Sequence, residues 1–167
     1  MSDADGAALC AACGLCCEGW VDPDTRFTAD EVARFASRVA VIDIRGCPGM
    51  AQPCVFHRDG GCAVYDERPE ACREFSCGTL IRMQAGAISA ELALANITAV
   101  RRAAEATADA MATSGWTREG EAAPDAARRL AQAARADAAD APFRRRYAQA
   151  LMADVEFAAL LKRHVLL

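Results

Sequence analysis

The sequence has almost no lysine, and Lys162 is the single one. Its 19 basic residues are outnumbered by 23 acidic ones, so the formal net charge at pH 7 is −4. A general electrostatic affinity for nucleic acid comes from basic side chains that neutralise phosphates, and we therefore expect no nucleic-acid partner. The one basic run, at residues 144–146, is typical of a solvated helix face in an acidic chain.

Long apolar runs are also missing. No stretch approaches the roughly 18 consecutive apolar residues of a membrane-spanning helix, so we predict no membrane span. The opening segment MSDADGAALC is acidic, and it has neither the basic start nor the apolar stretch of a secretory signal. We therefore expect a cytoplasmic protein, whose thiols stay reduced.

Familiar catalytic patterns are absent as well. His57 and His164 are the only histidines, and no Ser-His-Asp set, phosphate loop or dinucleotide fingerprint occurs. We interpret His164 as a surface residue. His57 is a candidate for a spare metal ligand or a proton carrier, and the other interpretation is an ordinary side chain of the fold. The sequence favours a protein without catalytic activity, and an enzyme is the alternative.

Cysteine is missing from the chain after Cys77, although nine cysteines precede that point. The chain therefore divides into a cysteine-rich part and a cysteine-free part. We predict a cysteine-rich metal-binding domain at residues 1–83, with a helical insert at about 28–40. Residues 84–167 form an alanine-rich helical region that we expect to pack on that domain.

The segment CAACGLCC, residues 10–17, places four cysteines in eight positions. Disulfides are a poor explanation, because nine is odd, the adjacent Cys16 and Cys17 make a strained bridge, and the expected compartment is reducing. Buried thiols that act as small hydrophobes explain one or two cysteines, such as Cys47, but not four together. Metal ligation fits best, because a C-x2-C turn lets two sulfurs converge on one ion.

This opening cluster departs from two common metal-site patterns. It begins like the bacterial ferredoxin run C-x2-C-x2-C-x3-C-P, but the fourth cysteine follows the third at once. A zinc ribbon would need two separated C-x2-C knuckles, and the sequence lacks the second one, because its two C-x2-C motifs overlap. Gly14 stands where a tight turn favours positive φ, and we expect an N-terminal loop here.

The cysteines after residue 50 lie in CVFHRDGGCAVYDERPEACREFSC, residues 54–77. The runs CVF and CAVY are β-type, and Asp-Gly between them predicts a tight hairpin that brings Cys54 and Cys62 together. Pro69 predicts the start of a short helix that carries Cys72, with Cys77 just beyond it. Arg68 and Arg73 are candidates to offset thiolate charge, whereas Arg58 is typical of the surface.

Together, CAACGLCC and the segment 54–77 resemble the YkgJ-type cysteine-cluster family, which carries the CxxCxxCC zinc- or iron-chelating domain. The resemblance covers about residues 10–80. It implies a metal-chelating domain for zinc or iron, and Cys47 is an extra cysteine outside the shared pattern. The ligands that the resemblance implies are Cys10, Cys13, Cys16, Cys17, Cys54, Cys62, Cys72 and Cys77.

Local patterns predict several further elements. Thr28 and Glu31 form a capping box for a helix in TADEVARFASRVA, and AVIDI after it is typical of a short strand. Helices are predicted near 89–112, from about Pro124, and from Pro142, with Asp140 or Ala141 as the residue before the last one. The fold class is therefore α+β: a small cysteine-rich module with a short β-hairpin and short helices, followed by a mainly helical region.

The leading functional hypothesis is a non-catalytic protein that chelates zinc or iron at one or two thiolate sites, for chelation, delivery or scaffolding. The alternative is an iron–sulfur redox protein or an accessory to a protein-modifying enzyme. The helical region is interpreted as a cap on the metal module. The apolar tail LLKRHVLL, residues 160–167, leaves a protein partner as the other interpretation.

Overall fold

A computed structural model describes residues 3–136 and 140–166 of the chain. The chain divides into two compact units, Met1–Ser76 and Cys77–Leu167, which we call the first and second units. The first unit combines short helices with five short strands in its described part, and the second is helical. The predicted α+β class with a helical C-terminal region is confirmed.

The first unit begins with two helices, α1 (Asp3–Cys13) and α2 (Leu15–Glu18). Gly14 between them has φ 66°, which confirms the predicted positive φ, and Gly19 after α2 has φ 88°. The prediction of an N-terminal loop is wrong, because Cys10, Cys13, Cys16 and Cys17 lie on these helices. The alanine-rich segment before Gly14 favours a helix, and the left-handed conformations of Gly14 and Gly19 end α1 and α2.

A three-stranded antiparallel sheet follows, with the strand order β1 (Asp24–Arg26), β3 (Cys47–Ala51), β2 (Ile42–Ile44). Helix α3 (Ala29–Phe35) connects β1 to β2, and its predicted capping box is present in full. The AVIDI strand is confirmed as β2.

The predicted Asp-Gly hairpin is confirmed, but its strands are shorter and shifted. They are β4 (His57–Arg58) and β5 (Gly61–Cys62), and His57 pairs with Cys62. Asp59 and Gly60 both have positive φ, so the turn is set by the residues that tolerate this conformation. A 3-10 turn (Tyr65–Glu67) then leads into α4 (Glu70–Glu74), the short helix predicted after Pro69.

The core of the first unit is largely aromatic. Helix α3 packs on β3, and the buried side chains of this core are Phe27, Phe35, Met50, Phe56 and Val64. Cys54 and Cys62 pack against this cluster from the side. Cys54 and Cys62 therefore border this core.

The second unit contains α5 (Gly78–Gln84), α6 (Ala90–Thr113), α7 (Ala123–Arg135), α8 (Ala141–Arg146) and α9 (Ala148–His164). The predicted helices near 89–112 and from about Pro124 are confirmed. The single helix predicted from Pro142 is two helices, because the chain leaves helical geometry at Tyr147. In the described ranges, no helix has the length and apolarity that crossing a membrane requires.

The core of the second unit lies mainly where α6 packs on α9, with α7 against both. Ile97, Val100, Met111 and Leu130 are almost fully buried, and alanines fill the narrow spaces between the helices. Beside this core, the ring of Trp116 lies 4.9 Å from that of Tyr147, measured between centroids. This unit therefore has an apolar core made of its own residues.

Candidate metal centre

Four cysteines from distant parts of the first unit's sequence are near enough for the charge of one to affect the pKa of another. They are Cys17 on α2, Cys54 before β4, Cys62 on β5 and Cys72 on α4, and we call them the central thiol set. Negative charge on Cys54, Cys62 and Cys72 raises the pKa of Cys17, after the larger effect of burial. The charges of Cys54 and Cys62 likewise act on Cys72. Thiols that influence one another in this way share one electrostatic environment.

Backbone hydrogen bonds fix the segments that carry this set. The Cys54 N–H donates to the Cys17 carbonyl oxygen at 2.7 Å, and the His57 N–H donates to the Cys54 carbonyl oxygen at 3.0 Å. The N–H groups of Phe56 and His57 also lower the pKa of the Cys54 thiol by hydrogen bonding, against the stronger effect of burial. Amide groups directed at a sulfur stabilise the thiolate form that metal ligation needs.

Burial favours the protonated form of Cys17 and Cys72. It is the largest cause that raises the pKa of Cys17 to about 12 and that of Cys72 to about 11. Both values lie above the ordinary value of 9.0, so both thiols carry their protons at neutral pH. A bound cation would have to replace these protons, because the thiolate is the metal-binding form.

The surroundings of Cys72 are polar on one side. A hydrogen bond from the Thr25 hydroxyl is the main effect that lowers the pKa of Cys72, and the positive charge of Arg68 lowers it further. Thr25 is itself buried on β1, and the Gln52 Nε2 group donates to its hydroxyl oxygen at 2.8 Å. Gln52, Thr25 and Cys72 therefore form a hydrogen-bonded chain behind one thiol of the set.

The three arginines of the segment 54–77 differ in what they contact. Arg68 acts on Cys72 as expected, and its guanidinium lies 3.9 Å from the centroid of the Tyr65 ring. Arg73 instead donates to the Arg68 carbonyl oxygen at 2.7 Å and approaches Glu31 at 4.0 Å. Arg58 is exposed, as predicted, and donates to a backbone carbonyl.

The other cysteines lie in several environments. Cys10 is exposed on α1, and its charge raises the pKa of Cys17 less than burial and the charges of Cys54, Cys62 and Cys72 do. Cys13 and Cys16 are half-buried on α1 and α2, and Cys47 is half-buried on β3. Cys77 belongs to the second unit, where its sulfur accepts a hydrogen bond from the Leu80 N–H at 3.4 Å.

The two histidines also differ in their surroundings. His57 is half-buried on β4 and opposite Cys62 in the hairpin. His164 was expected at the surface, but it is half-buried, and its Nδ1 atom has no hydrogen-bond partner among the described residues. Burial is the main cause that lowers the pKa of His164, and the positive charges of Arg82 and Arg163 act in the same direction.

Within residues 3–136 and 140–166, no three cysteine, histidine, aspartate or glutamate side chains are arranged so that they could hold a metal ion. The donor chemistry of the central thiol set nevertheless fits zinc or iron, because both metals accept four thiolates. The amide groups directed at Cys54 fit as well. The donor chemistry of this set is therefore what indicates a metal site.

The family model "CxxCxxCC: Putative zinc- or iron-chelating domain" matches residues 9–99, which are more than half of the chain and include all nine cysteines. The chain belongs to the CxxCxxCC family. The resemblance noted in the sequence is thereby confirmed, and with it the general assignment as a zinc- or iron-chelating domain. No curated protein and no solved structure matches the chain.

Sequence reasoning about this CxxCxxCC protein missed Thr25 and Gln52. Neither lies in a cysteine cluster, and no local pattern indicates that the Thr25 hydroxyl contacts Cys72. The contact arises because β1 and α4 pack against each other. Glu31 was recognised only as half of a capping box, although it also contacts residues near Cys72.

Proposed function

We propose that this protein chelates zinc or iron through cysteine thiolates and serves a non-catalytic role in metal storage, delivery or scaffolding. The central ligands are Cys17, Cys54, Cys62 and Cys72. The remaining predicted ligands are Cys10, Cys13, Cys16 and Cys77. The observation that carries this proposal is the backbone hydrogen bond of 2.7 Å from Cys54 to Cys17, together with the electrostatic influence of Cys54, Cys62 and Cys72 on Cys17, because both relate cysteines that are distant in sequence.

A metal ion would supply stability that the first unit has few other means to obtain. Its strands are only two to five residues long, and the cluster of buried side chains around Phe35 has five members. Four ligands from four segments would cross-link α2, the β4–β5 hairpin and α4. Binding free energy at such a site is also folding free energy, as in other small metal-dependent domains.

The second candidate is an iron–sulfur protein with a redox role or a role beside a protein-modifying enzyme. The observation in its favour is that Cys10 acts electrostatically on Cys17, as the other three members of the central thiol set do. Iron–sulfur clusters are held mainly by cysteine thiolates. Colour separates the two candidates, because zinc thiolates absorb no visible light and iron–sulfur clusters are brown.

The test is to purify the protein without oxygen, record its visible spectrum and measure metals per chain by elemental analysis. We expect about one or two zinc or iron ions per chain. In the variants C17S, C54S, C62S and C72S, metal content should fall below about half of the wild-type value, because three thiolates hold the ion more weakly than four.

The matched control is C47S, which alters a half-buried cysteine of the same unit outside the central thiol set. It should keep the wild-type metal content. Equal losses in C47S and in the four central variants would contradict the assignment of ligands. A wild-type chain without metal, which also binds no added Zn²⁺ or Fe²⁺ after reduction, would refute the proposed function.

A further inference from the structure

Glu31 is a buried carboxylate whose contacts converge from several parts of the first unit. Its side chain is 3% exposed. One carboxylate oxygen, Oε2, accepts the Thr28 N–H at 3.0 Å and completes the capping box of α3. The other, Oε1, accepts the Glu70 N–H at 2.6 Å and lies 3.5 Å from the Arg34 guanidinium. The burial of this charge is therefore offset by several polar partners.

The contact with Glu70 connects α3 to α4 across 39 positions of sequence. Helix α4 has no capping side chain of its own, since Pro69 precedes it and offers none. Glu31 takes that place from another helix. A charge-assisted hydrogen bond of this length is among the stronger kinds, so it restrains where α4 begins.

Cys72 lies between the two residues of α4 that contact Glu31. The Glu70 N–H is two positions before Cys72, and the Arg73 guanidinium, 4.0 Å from Glu31 Oε1, is one position after it. A short helix that is fixed on both sides of a residue has little freedom to turn that residue away. Both restraints come from one carboxylate.

We propose that Glu31 is a positioning residue of the metal site, which holds α4 so that Cys72 faces the other central thiols. This inference rests on the proposed function. It also gives a role to the segment between the two cysteine clusters, because α3 carries the carboxylate that fixes the last ligand of the central set. Loss of the Glu31 contact would leave a site of three thiolates.

The test uses Co²⁺ in place of the native metal, because sulfur-to-cobalt charge-transfer bands report the number of bound thiolates. The wild-type chain should show the spectrum of four thiolates. In E31Q the carboxylate charge toward Arg34 and Arg73 is lost, and we expect the charge-transfer intensity to fall by roughly a quarter, as one thiolate in four leaves.

Two variants at position 70 test the contact between Glu31 and the Glu70 N–H without a change to Glu31 itself. E70P deletes the N–H that Glu31 accepts, whereas the control E70A keeps it and removes the same exposed side chain. Proline is well tolerated at the first position of a helix, and Pro69 already has ψ 148°, the conformation that a following proline requires. E70P should lose intensity as E31Q does, and E70A should not.

The alkylation rates of the individual cysteines distinguish a positioning role of Glu31 from a general loss of structure in its variants. In the Co²⁺-loaded protein, iodoacetamide should modify Cys72 several-fold faster in E31Q and E70P than in the wild type. Cys54 and Cys62 should remain protected in all variants. Mass spectrometry of peptides measures the modification of each cysteine separately. If Glu31 only stabilised the fold, its loss would expose all of the thiols together, and all of them would react faster.

Each outcome decides the question. Unchanged spectra and unchanged Cys72 protection in E31Q and E70P would overturn the role of Glu31 and leave the proposed function standing. Equal exposure of all central thiols would also overturn it, because Glu31 would then act on the fold as a whole. A wild-type chain without thiolate bands would overturn both the inference and the proposed function.

Discussion

Cys17 illustrates how its surroundings set the chemistry of one residue. Burial and the charges of neighbouring thiols both favour its protonated form, and together they raise its pKa to about 12. Cys72 is subject to the same burial, but the Thr25 hydroxyl and Arg68 act against it, and its pKa is about 11. A cation that binds these thiols must therefore compete with protons at every ordinary pH.

We predict that the apparent affinity for Zn²⁺ rises with pH. Since both thiols are protonated below their raised pKa values, each one that becomes a ligand releases a proton, which adds about a tenfold gain in affinity per pH unit. Competition with a coloured chelator at pH 6, 7 and 8 measures this slope. Proton release on metal addition, followed with an indicator in weak buffer, measures it independently.

The variant C17S provides the control for this proton count. It should release about one proton fewer per ion than the wild type and show a correspondingly shallower pH slope. The reason is that serine has no thiol, so position 17 has no thiol proton to release when the metal binds. A wild-type affinity that does not change with pH would mean that the thiols are already ionised. That result would contradict the effect of burial on Cys17 and Cys72.

Strand β3 leaves no space for a side chain at Gly49. Gly49 lies on this central strand, with Arg26 and Ile42 as its partners on the two neighbouring strands. A Cβ atom at Gly49 would collide with Ile44 Cδ1 and with the Thr25 carbonyl oxygen, and it would lie 3.1 Å from the Arg26 Cα atom. The backbone cannot give way without disturbing the sheet.

We therefore predict that G49A lowers the free energy of unfolding by roughly 1 to 3 kcal/mol, the usual cost of overpacking a well-packed site. The matched control is G61A on β5, where an added Cβ would meet no atom within 4 Å. Urea unfolding, followed by far-UV circular dichroism, measures both variants. Equal midpoints for the two would refute the close packing around Gly49.

At the scale of the whole molecule, each unit has its own core and its own tryptophan. Trp20 is buried in the first unit, three positions after Cys17. Trp116 is in the second unit, where the Arg129 guanidinium lies 4.1 Å from the centroid of its ring. Arg129 also pairs with Glu121 at 2.6 Å and lowers the pKa of that carboxyl to about 2.

This distribution allows the effect of metal removal to be assigned to a unit. We predict that a chelator shifts the emission of Trp20 to longer wavelength and lowers the urea midpoint that it reports, because the central thiol set lies in its unit. The emission of Trp116 should change much less. The variants W116F and W20F isolate the two signals, and an equal change in both would contradict the prediction.

Two proposals about the whole chain stay predictions. The domain boundary expected between residues 83 and 84 is one. The other is a protein partner for the C-terminal helices, for which Met152 and Val155 of α9, 74% and 69% exposed, are the most exposed large apolar side chains among the described residues. The expected cytoplasmic location is likewise a prediction from the sequence.

The sequence by itself determined the local elements, because their causes lie within a few residues of one another. The capping box of Thr28 and Glu31, the positive φ of Gly14 and the Asp59–Gly60 turn all follow from neighbouring side chains and backbone preferences. It also identified the family, since the cysteine spacings are a property of the chain. Local patterns failed at residues 10–17, where loop and short helix differ little in free energy.

Only the tertiary structure decided which cysteines share an environment and what supports them. Cys17 and Cys72 are far apart in sequence, and their electrostatic coupling depends on how the tertiary structure brings α2 and α4 together. The contacts of Thr25 with Cys72 and of Glu31 with Glu70 have the same origin. Such contacts are absent from any local pattern, because they form only when distant segments bury their apolar side chains together.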